Sequence, residues 1–532
     1  MKTIWLKPVF LFLFILLFAF AKGQQLNYTQ DFYTTQQVSS FINQSDSIIF
    51  SSFKPLSKAY LYCNNVFDSL LNHPERDKQF LKKHKANWLY RKLRKEDFID
   101  FNTEGFRLRV NPLFHFEYKK EQDLDETFYT NTRGIEFKGD IGKKFSFYSS
   151  FYENQSRFVD YISDYVMEHR VVPGQGAAKI LRDNKYDYSR AEAYMSVSPI
   201  RFINIQAGHS KHFIGEGYRS LLLSDNSFNY PFLKFRIDFG QFRYMLLWKQ
   251  YQLFEGAYYN HHYRKYGAIS MLSWSPVAGF ELSLFEGVNW PSNTADKPNN
   301  FNLNFFNPII LFRTLQFGLK AEQNVVLGLN LRKRLGKFEQ FYGQFILDEL
   351  KTGHSGKNKY GFQIGLKSFD LFRDKLYRQT LFVLAEYNQV SPYAYAHANP
   401  EQSYSHYNQP LAHPAGSGLQ EFVAVANYRF HDLFVNFKIT NLTNSLDTLD
   451  SNFGSNIFIP DNGSGGSQIG QGIKNCTQNI YASFGLIVNP VTKMKIYIGI
   501  QKRTVDNAIN PQSNMFYSFG FKTDINNYYY DF

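Results

Sequence analysis

From about Phe106 to the end of the chain, apolar and polar residues alternate with a period of two. Leu233, Phe235, Ile237 and Phe239 are interleaved with Lys234, Arg236, Asp238 and Gly240. The same alternation returns at Val325, Leu327, Leu329 and Leu331 against Asn330 and Arg332, at Phe362, Ile364 and Leu366, and at Ile496, Ile498 and Ile500. Successive side chains of a strand point to opposite faces, so each run predicts a β-strand with one apolar and one polar face. Polar segments rich in Gly, Asn, Ser and Pro separate the runs, the longest at 392–418 and 445–474. Within the second, Asn-Gly-Ser-Gly-Gly-Ser at 462–467 has the composition of a hairpin tip.

Upstream the period is helical. Tyr60, Cys63, Phe67, Leu70 and Leu71 share one face of a predicted helix, and Phe80, Leu81, Trp88, Leu89 and Leu93 recur at helical spacing. The second set lies in a stretch containing Lys82, Lys83, Lys85, Arg91, Lys92, Arg94 and Lys95, whose simplest reading is a solvated basic face. At the start of the chain, Lys2 and Lys7 precede an apolar run from Val9 to Phe20, followed by Ala21-Lys22-Gly23. That order is a secretory leader with cleavage expected after Gly23. The run is shorter than the roughly 20 apolar residues a spanning helix needs. The expected organisation is a signal peptide at 1–23, an N-terminal helical plug or periplasmic region at 24–105 and a barrel at 106–532.

Composition separates a soluble β-protein from a lipid-embedded one. Mean hydropathy is −0.38, and no apolar stretch after Gly23 approaches the length of a spanning helix. Yet the 532 residues include 55 Phe and 37 Tyr, an aromatic share of 18% that the girdles of a membrane barrel would use. The fold class expected is therefore all-β: a transmembrane antiparallel outer-membrane barrel, the product of export through a cleaved leader. At roughly 10 residues per strand plus connections, the remaining chain accommodates about 16–18 strands. The terminal Tyr528-Tyr529-Tyr530-Asp531-Phe532 reads as the aromatic end of the last strand, resembling the signal that outer-membrane assembly machinery recognises.

The formal charge of +13 falls by three when Lys2, Lys7 and Lys22 leave with the leader. The basic residues are dispersed among strand-like segments of an exported chain, so no nucleic-acid partner is expected. Attraction to outer-membrane lipid, lipopolysaccharide or acidic glycans explains the sign, as does a dispersed surface charge. Two cysteines permit one disulfide; Cys63 reads as a buried thiol, distant in sequence from Cys476 in a polar segment.

Four runs carry a specific resemblance. They are GHSKHFIGEGYRSLLLSDNSFNYPFLKF at 208–235, FYGQFILDE at 341–349, AEYNQVSPYAYAH at 385–397 and YNQPLAHPAGSGLQEF at 407–422. Together with the stretch around Trp88-Leu89-Tyr90-Arg91-Lys92-Leu93, they resemble the Wzi-type capsule-assembly outer-membrane barrels. The likeness is stronger to the Bacteroidetes branch, which includes the gliding-motility protein RemB. The resemblance implies a wide barrel closed on one side by N-terminal helices. It also implies a role without catalysis in surface polysaccharide (capsule) attachment or in gliding-related surface organisation, with exopolysaccharide or gliding-machinery proteins as partners. A porin or small-solute channel is the alternative.

Candidate ligand-binding residues follow from the polar chemistry of these runs. Glu216 and Arg219 either contact acidic sugars or pair inside the lumen. Glu386, Tyr387, Tyr393, Tyr395, His397 and His413 supply rings for stacking on sugar faces and side chains for hydroxyls, or else serve as girdle and loop packing. Gly208, Gly215 and Gly217 permit tight turns or close backbone approach. His209 and His212 have metal-like spacing, but a strand would send them to opposite faces, and no metal or other cofactor is expected. Asp348 and Glu349 diverge likewise, which disfavours paired-carboxylate glycosidase chemistry. With no nucleophile elbow, zinc motif or phosphate loop, no enzyme is expected. The glycine-rich and aromatic runs around 208–219 and 386–413 are expected to meet in or above the lumen.

Overall fold

The computed structural model describes residues 25–61, 87–255, 261–292, 307–311, 323–349, 358–372, 379–448, 451–461 and 468–532. The leader, Cys63, the helix positions Phe67, Leu70, Leu71, Phe80 and Leu81, and the hairpin tip at 462–467 lie outside them.

Among the described residues, eighteen antiparallel strands close into one barrel. In chain order they are β1 (Phe106–Glu121), β2 (Thr127–Ile141), β3 (Phe145–Arg157), β4 (Lys185–Ile200), β5 (Ile203–Ser210) and β6 (Tyr230–Phe239). There follow β7 (Phe242–Glu255), β8 (His261–Trp274), β9 (Phe280–Pro291), β10 (Asn324–Arg334), β11 (Glu339–Glu349) and β12 (Lys359–Ser368). The last six are β13 (Gln379–Val390), β14 (Leu419–Phe430), β15 (Leu433–Leu446), β16 (Ile473–Asn489), β17 (Met494–Asp506) and β18 (Gln512–Lys522). Closure comes from β18 pairing with β1, in register from Phe516↔Glu121 to Lys522↔His115.

The period-two pattern sorts lipid from lumen. On β17, Ile496, Ile498 and Ile500 are exposed on the outside, whereas Lys495, Tyr497 and Gln501 line the inside. On β10, Leu329 faces out while Asn330 and Arg332 are buried inward. Exposed Ile364, Leu366, Phe484 and Phe519 extend the same apolar belt around the wall, the surface a lipid-embedded barrel presents. Tight turns such as 201–202, 240–241 and 431–432 close one end, and the long segments 158–184, 211–229 and 391–418, with the described residues of 447–472, lie at the other. In outer-membrane barrels the short turns face the periplasm and the long loops the cell exterior.

The interior is packed. Loop 211–229 folds into the lumen, where Ile214, Leu221, Leu222 and Leu223 form an apolar core with Tyr395, Tyr404 and Leu411 of 391–418 and wall residues Phe285, Val326 and Ile346. Loop 158–184 contains a helix that the sequence pattern did not signal, α3 (Asp160–His169), whose Ile162 and Val166 pack with Phe158, Tyr186 and Tyr188. Two apolar residues one turn apart are too short a signal to stand out inside a strand-patterned chain.

From the short-turn end the N-terminal segment enters. Asp31 caps α1 (Phe32–Gln44) by accepting a hydrogen bond from the Thr34 amide at 3.0 Å. Asn43 fixes the helix to the β10–β11 turn by donating to the Gly336 and Lys337 carbonyls at 3.1 and 2.9 Å. Residues Phe53 and Lys54 then pair with Ile214 and Phe213 inside the barrel. At the rim lies α2 (Trp88–Arg94), held by Asn489, which donates to the Lys92 carbonyl at 3.0 Å.

The C-terminus departs from expectation. Residues 523–532 are not strand; the chain leaves the wall at Lys522 and turns into the lumen, where Tyr529 and Asp531 are buried. A terminal aromatic run has the same one-dimensional pattern whether it lines a wall or plugs a lumen. The outward aromatics of the last strand are instead Tyr517 and Phe519. Cys476 is a free thiol on β16, beside the Thr443 hydroxyl at 3.6 Å.

Candidate functional site

The residues predicted from the glycine-rich and aromatic runs divide into a connected set and residues that lie outside it. Arg219, 1% exposed, binds Glu421 in a two-pronged pair, Nη2 to Oε1 at 2.7 Å and Nε to Oε2 at 3.0 Å. It also pairs with Asp531 at 3.1 Å, and His413 reaches Glu421 at 2.7 Å. Glu386 accepts from the backbone amides of Tyr218 and Arg219 at 2.8 and 3.0 Å and from the Tyr342 hydroxyl at 2.8 Å. Glu216 sits nearby with Lys367 at 3.2 Å, Lys54 at 3.5 Å and the Ser51 hydroxyl at 2.5 Å. Glu216, Arg219, Glu386 and His413 are thus brought together, buried and partnered by protein groups.

Local backbone makes this possible. Gly215 has φ +130°, a conformation that side chains rarely adopt, and a Cβ there would lie 2.3 Å from Gln344. A Cβ on Gly217 would lie 2.2 Å from the Glu386 carboxylate, so only glycine lets that carboxylate reach the next two amides. Gly208 lies in β5 against the backbone of Tyr194, its partner across the ladder.

Tyr393 and His397 lie apart from the network. The Tyr393 hydroxyl donates to the Asn452 carbonyl at 2.6 Å, tying 391–418 to 447–472, and His397 accepts from the Asn399 amide at 3.1 Å. His209 Nδ1 lies 3.1 Å from the Ala191 carbonyl, and His212 is buried against Tyr230. Asp348 accepts from the Tyr395 amide at 2.9 Å.

Electrostatics hold Glu216 and Asp531 ionised. Burial raises the Glu216 pKa, but the charges of Lys54, Lys367 and Arg332 outweigh it and hold the carboxyl well below its usual range. Burial likewise opposes ionisation of Asp531, and Arg219 and Lys438 overcome it, leaving this carboxyl also well below its usual range. For His413 burial prevails over the adjacent Glu421, and its pKa falls.

Beyond the network lies a cavity that the sequence did not announce. It has a volume of about 510 Å³ and runs between α1 and the inner faces of β1 and β14–β18, from Thr132 and Asn154 down to Pro490 near the short-turn rim. Its wall carries lysines and tyrosines, among them Lys119, Lys495, Lys522, Tyr481 and Tyr497. A second cavity of about 370 Å³ lies near Lys92, Arg107 and Arg109 and shares Tyr33, Lys493 and Asp524 with the first. Glu421, Asp531, Tyr218 and Tyr342 were not singled out in the sequence. Glu421 carried a readable signal, since it shares the inward parity of Leu419 and Val423 in a membrane barrel and so needed a buried partner.

The capsule assembly protein Wzi family model matches residues 118–514. The chain belongs to that family. Among curated proteins no match is found. The solved structure of Wzi from Escherichia coli, described as an outer-membrane carbohydrate-binding β-barrel involved in group 1 capsule assembly, is similar in fold. Its TM-score is 0.54 at 13% identity, covering 94% of this chain and 100% of that one. The Pseudomonas aeruginosa protein OprD has a TM-score of 0.41 at 11% identity, covering 81% of this chain and 97% of its own. As a Wzi-family barrel, the chain is an outer-membrane protein.

Proposed function

We propose that this Wzi-family barrel is a non-enzymatic surface protein that holds or organises exported polysaccharide at the outer membrane, in capsule attachment or assembly. The observation that carries the reading is a family match spanning most of the wall in a barrel whose lumen is filled from both ends. Loop 211–229, loop 391–418, the N-terminal segment and the C-terminal tail all occupy it. A filled, ionically locked lumen supports binding rather than diffusion, and thereby disfavours the channel reading.

In this reading the leader directs export and is removed after Gly23, and the net positive charge favours contact with lipopolysaccharide and acidic glycans. The four runs resembling the Bacteroidetes branch support a second role, gliding-related surface organisation with protein partners. Capsule retention on cells lacking the chain tests the main reading, beside planar-bilayer conductance of the purified protein. Loss of cell-bound polysaccharide with little conductance is expected. Normal capsule retention with a large steady conductance would transfer the assignment to a porin.

A further inference from the structure

The ladder between β17 and β18 places Lys495 directly opposite Lys522, and the ladder between β18 and β1 places Lys522 opposite His115. All three line the cavity between α1 and the wall. Directly opposed residues of an antiparallel pair have Cβ atoms about 5 Å apart, and like charges in that position repel. Elsewhere in this cavity the lysines are neutralised. Lys493 pairs with Asp524 at 2.9 Å and also with Asp31; Lys438 pairs with Asp531 at 2.7 Å; Lys119 lies 3.7 Å from Glu117.

Those pairs engage the cavity's carboxylates and leave Lys495 and Lys522 without an ion pair among the described residues. Each ammonium instead lies near a ring, Lys495 at 5.7 Å from Phe434 and Lys522 at 5.4 Å from Tyr528. Around them the wall offers Tyr481 and Tyr497, and the Tyr497 hydroxyl donates to Glu117 at 2.5 Å. A Cβ on Gly520 would lie 2.3 Å from the Tyr497 ring, so glycine at that position lets the ring lie across the wall beside the lysine pair.

We infer that this cavity is an anion site whose ligand is a saccharide bearing a carboxylate or phosphate. Lys495 and Lys522 bind the oxyanion and the tyrosine rings face the sugar. The pair stands at the first rungs of β17 and the last of β18, on the short-turn side, so the ligand enters from the periplasmic end. The inference goes beyond surface attachment: it concerns a pocket at the other end of the barrel, and either statement survives failure of the other.

The test is calorimetric titration of detergent-purified full-length mature protein with trigalacturonate, inorganic phosphate and neutral maltotriose. The same titrations are run on Lys495→Gln, on Lys522→Gln and on the double variant. Saturable trigalacturonate binding is expected, weakened at least tenfold in the double variant and by added salt, with no maltotriose signal. Phosphate that competes with trigalacturonate would extend the site to phosphorylated headgroup sugars, whereas phosphate that does not compete restricts it to carboxylates. Each single variant should also raise the unfolding temperature of the unliganded protein, because it relieves the lysine–lysine repulsion. Absence of binding by both anions, or binding unchanged in the double variant, overturns the assignment. So does a double variant that melts below the parent.

Discussion

Arg219 and Glu421 lie 202 positions apart in the chain and meet in a bidentate pair inside the lumen, both essentially excluded from solvent. The pair ties the inserted loop 211–229 to the wall strand β14, and Asp531 adds the C-terminal tail to the same guanidinium. Removing one partner leaves the other as an unpaired buried charge, which typically costs about 3–5 kcal/mol. Arg219→Met should therefore release the loop, and trypsin should cleave near Lys211 while the barrel itself stays folded. Arg219→Met with Glu421→Gln should recover much of the protection, since neither charge then remains. Protection equal to the parent in the single variant would show that the loop is held by its apolar core alone.

Acid should loosen the same plug. Glu216 and Asp531 ionise below their ordinary values of 4.5 and 3.8. A carboxyl lowered in the folded state stabilises fully above its ordinary value and loses that contribution as pH falls below it. Protection factors for amide exchange in 211–229 and 523–532, corrected for the intrinsic pH dependence of exchange, should accordingly match between pH 7 and 5.5 and fall below about pH 4.5. Equal protection at pH 3.5 and pH 7 would contradict this.

Gly217→Ala is expected to displace Glu386 from the Tyr218 and Arg219 amides, because the new Cβ would stand 2.2 Å from the carboxylate. A loss of a few kcal/mol is consistent with unpairing a buried carboxylate. Differential scanning calorimetry should report a lower transition for Gly217→Ala than for Gly142→Ala, a turn glycine with φ +59° but open space around its Cβ position. Equal transitions would mean that Glu386 shifts without cost.

The tail can be separated from assembly. Because β18 is complete at Lys522, a chain ending at Asn527 should still insert and show the heat-modifiable gel mobility of a folded barrel. It loses Asp531 from Arg219 and Lys438, so its planar-bilayer conductance should exceed that of the full chain. Failure to insert would instead restore the terminal aromatics as an assembly signal.

On the outer face, Ile498→Arg places a charge among lipid-facing Ile496 and Ile500. Near the bilayer midplane such a change costs about 2–4 kcal/mol, whereas Ile498→Val should cost far less. Urea unfolding in lipid vesicles reads the difference, and equal stability of the two variants would place β17 away from lipid.

By itself the sequence determined the wall. Alternation of side chains along a strand is local, so Ile496, Ile498 and Ile500 against Lys495, Tyr497 and Gln501 could be sorted into lipid and lumen with no knowledge of their neighbours. Length, aromatic content and the four family runs then gave the barrel and its approximate strand number. What lies inside was decided by tertiary structure. Whether Glu421 meets Arg219, whether Lys522 faces Lys495 and whether Tyr529 enters the lumen depend on register and loop insertion across hundreds of residues. A buried charge selects its partner by proximity and desolvation in the folded barrel, and those are properties of assembled space that no periodicity along the chain records.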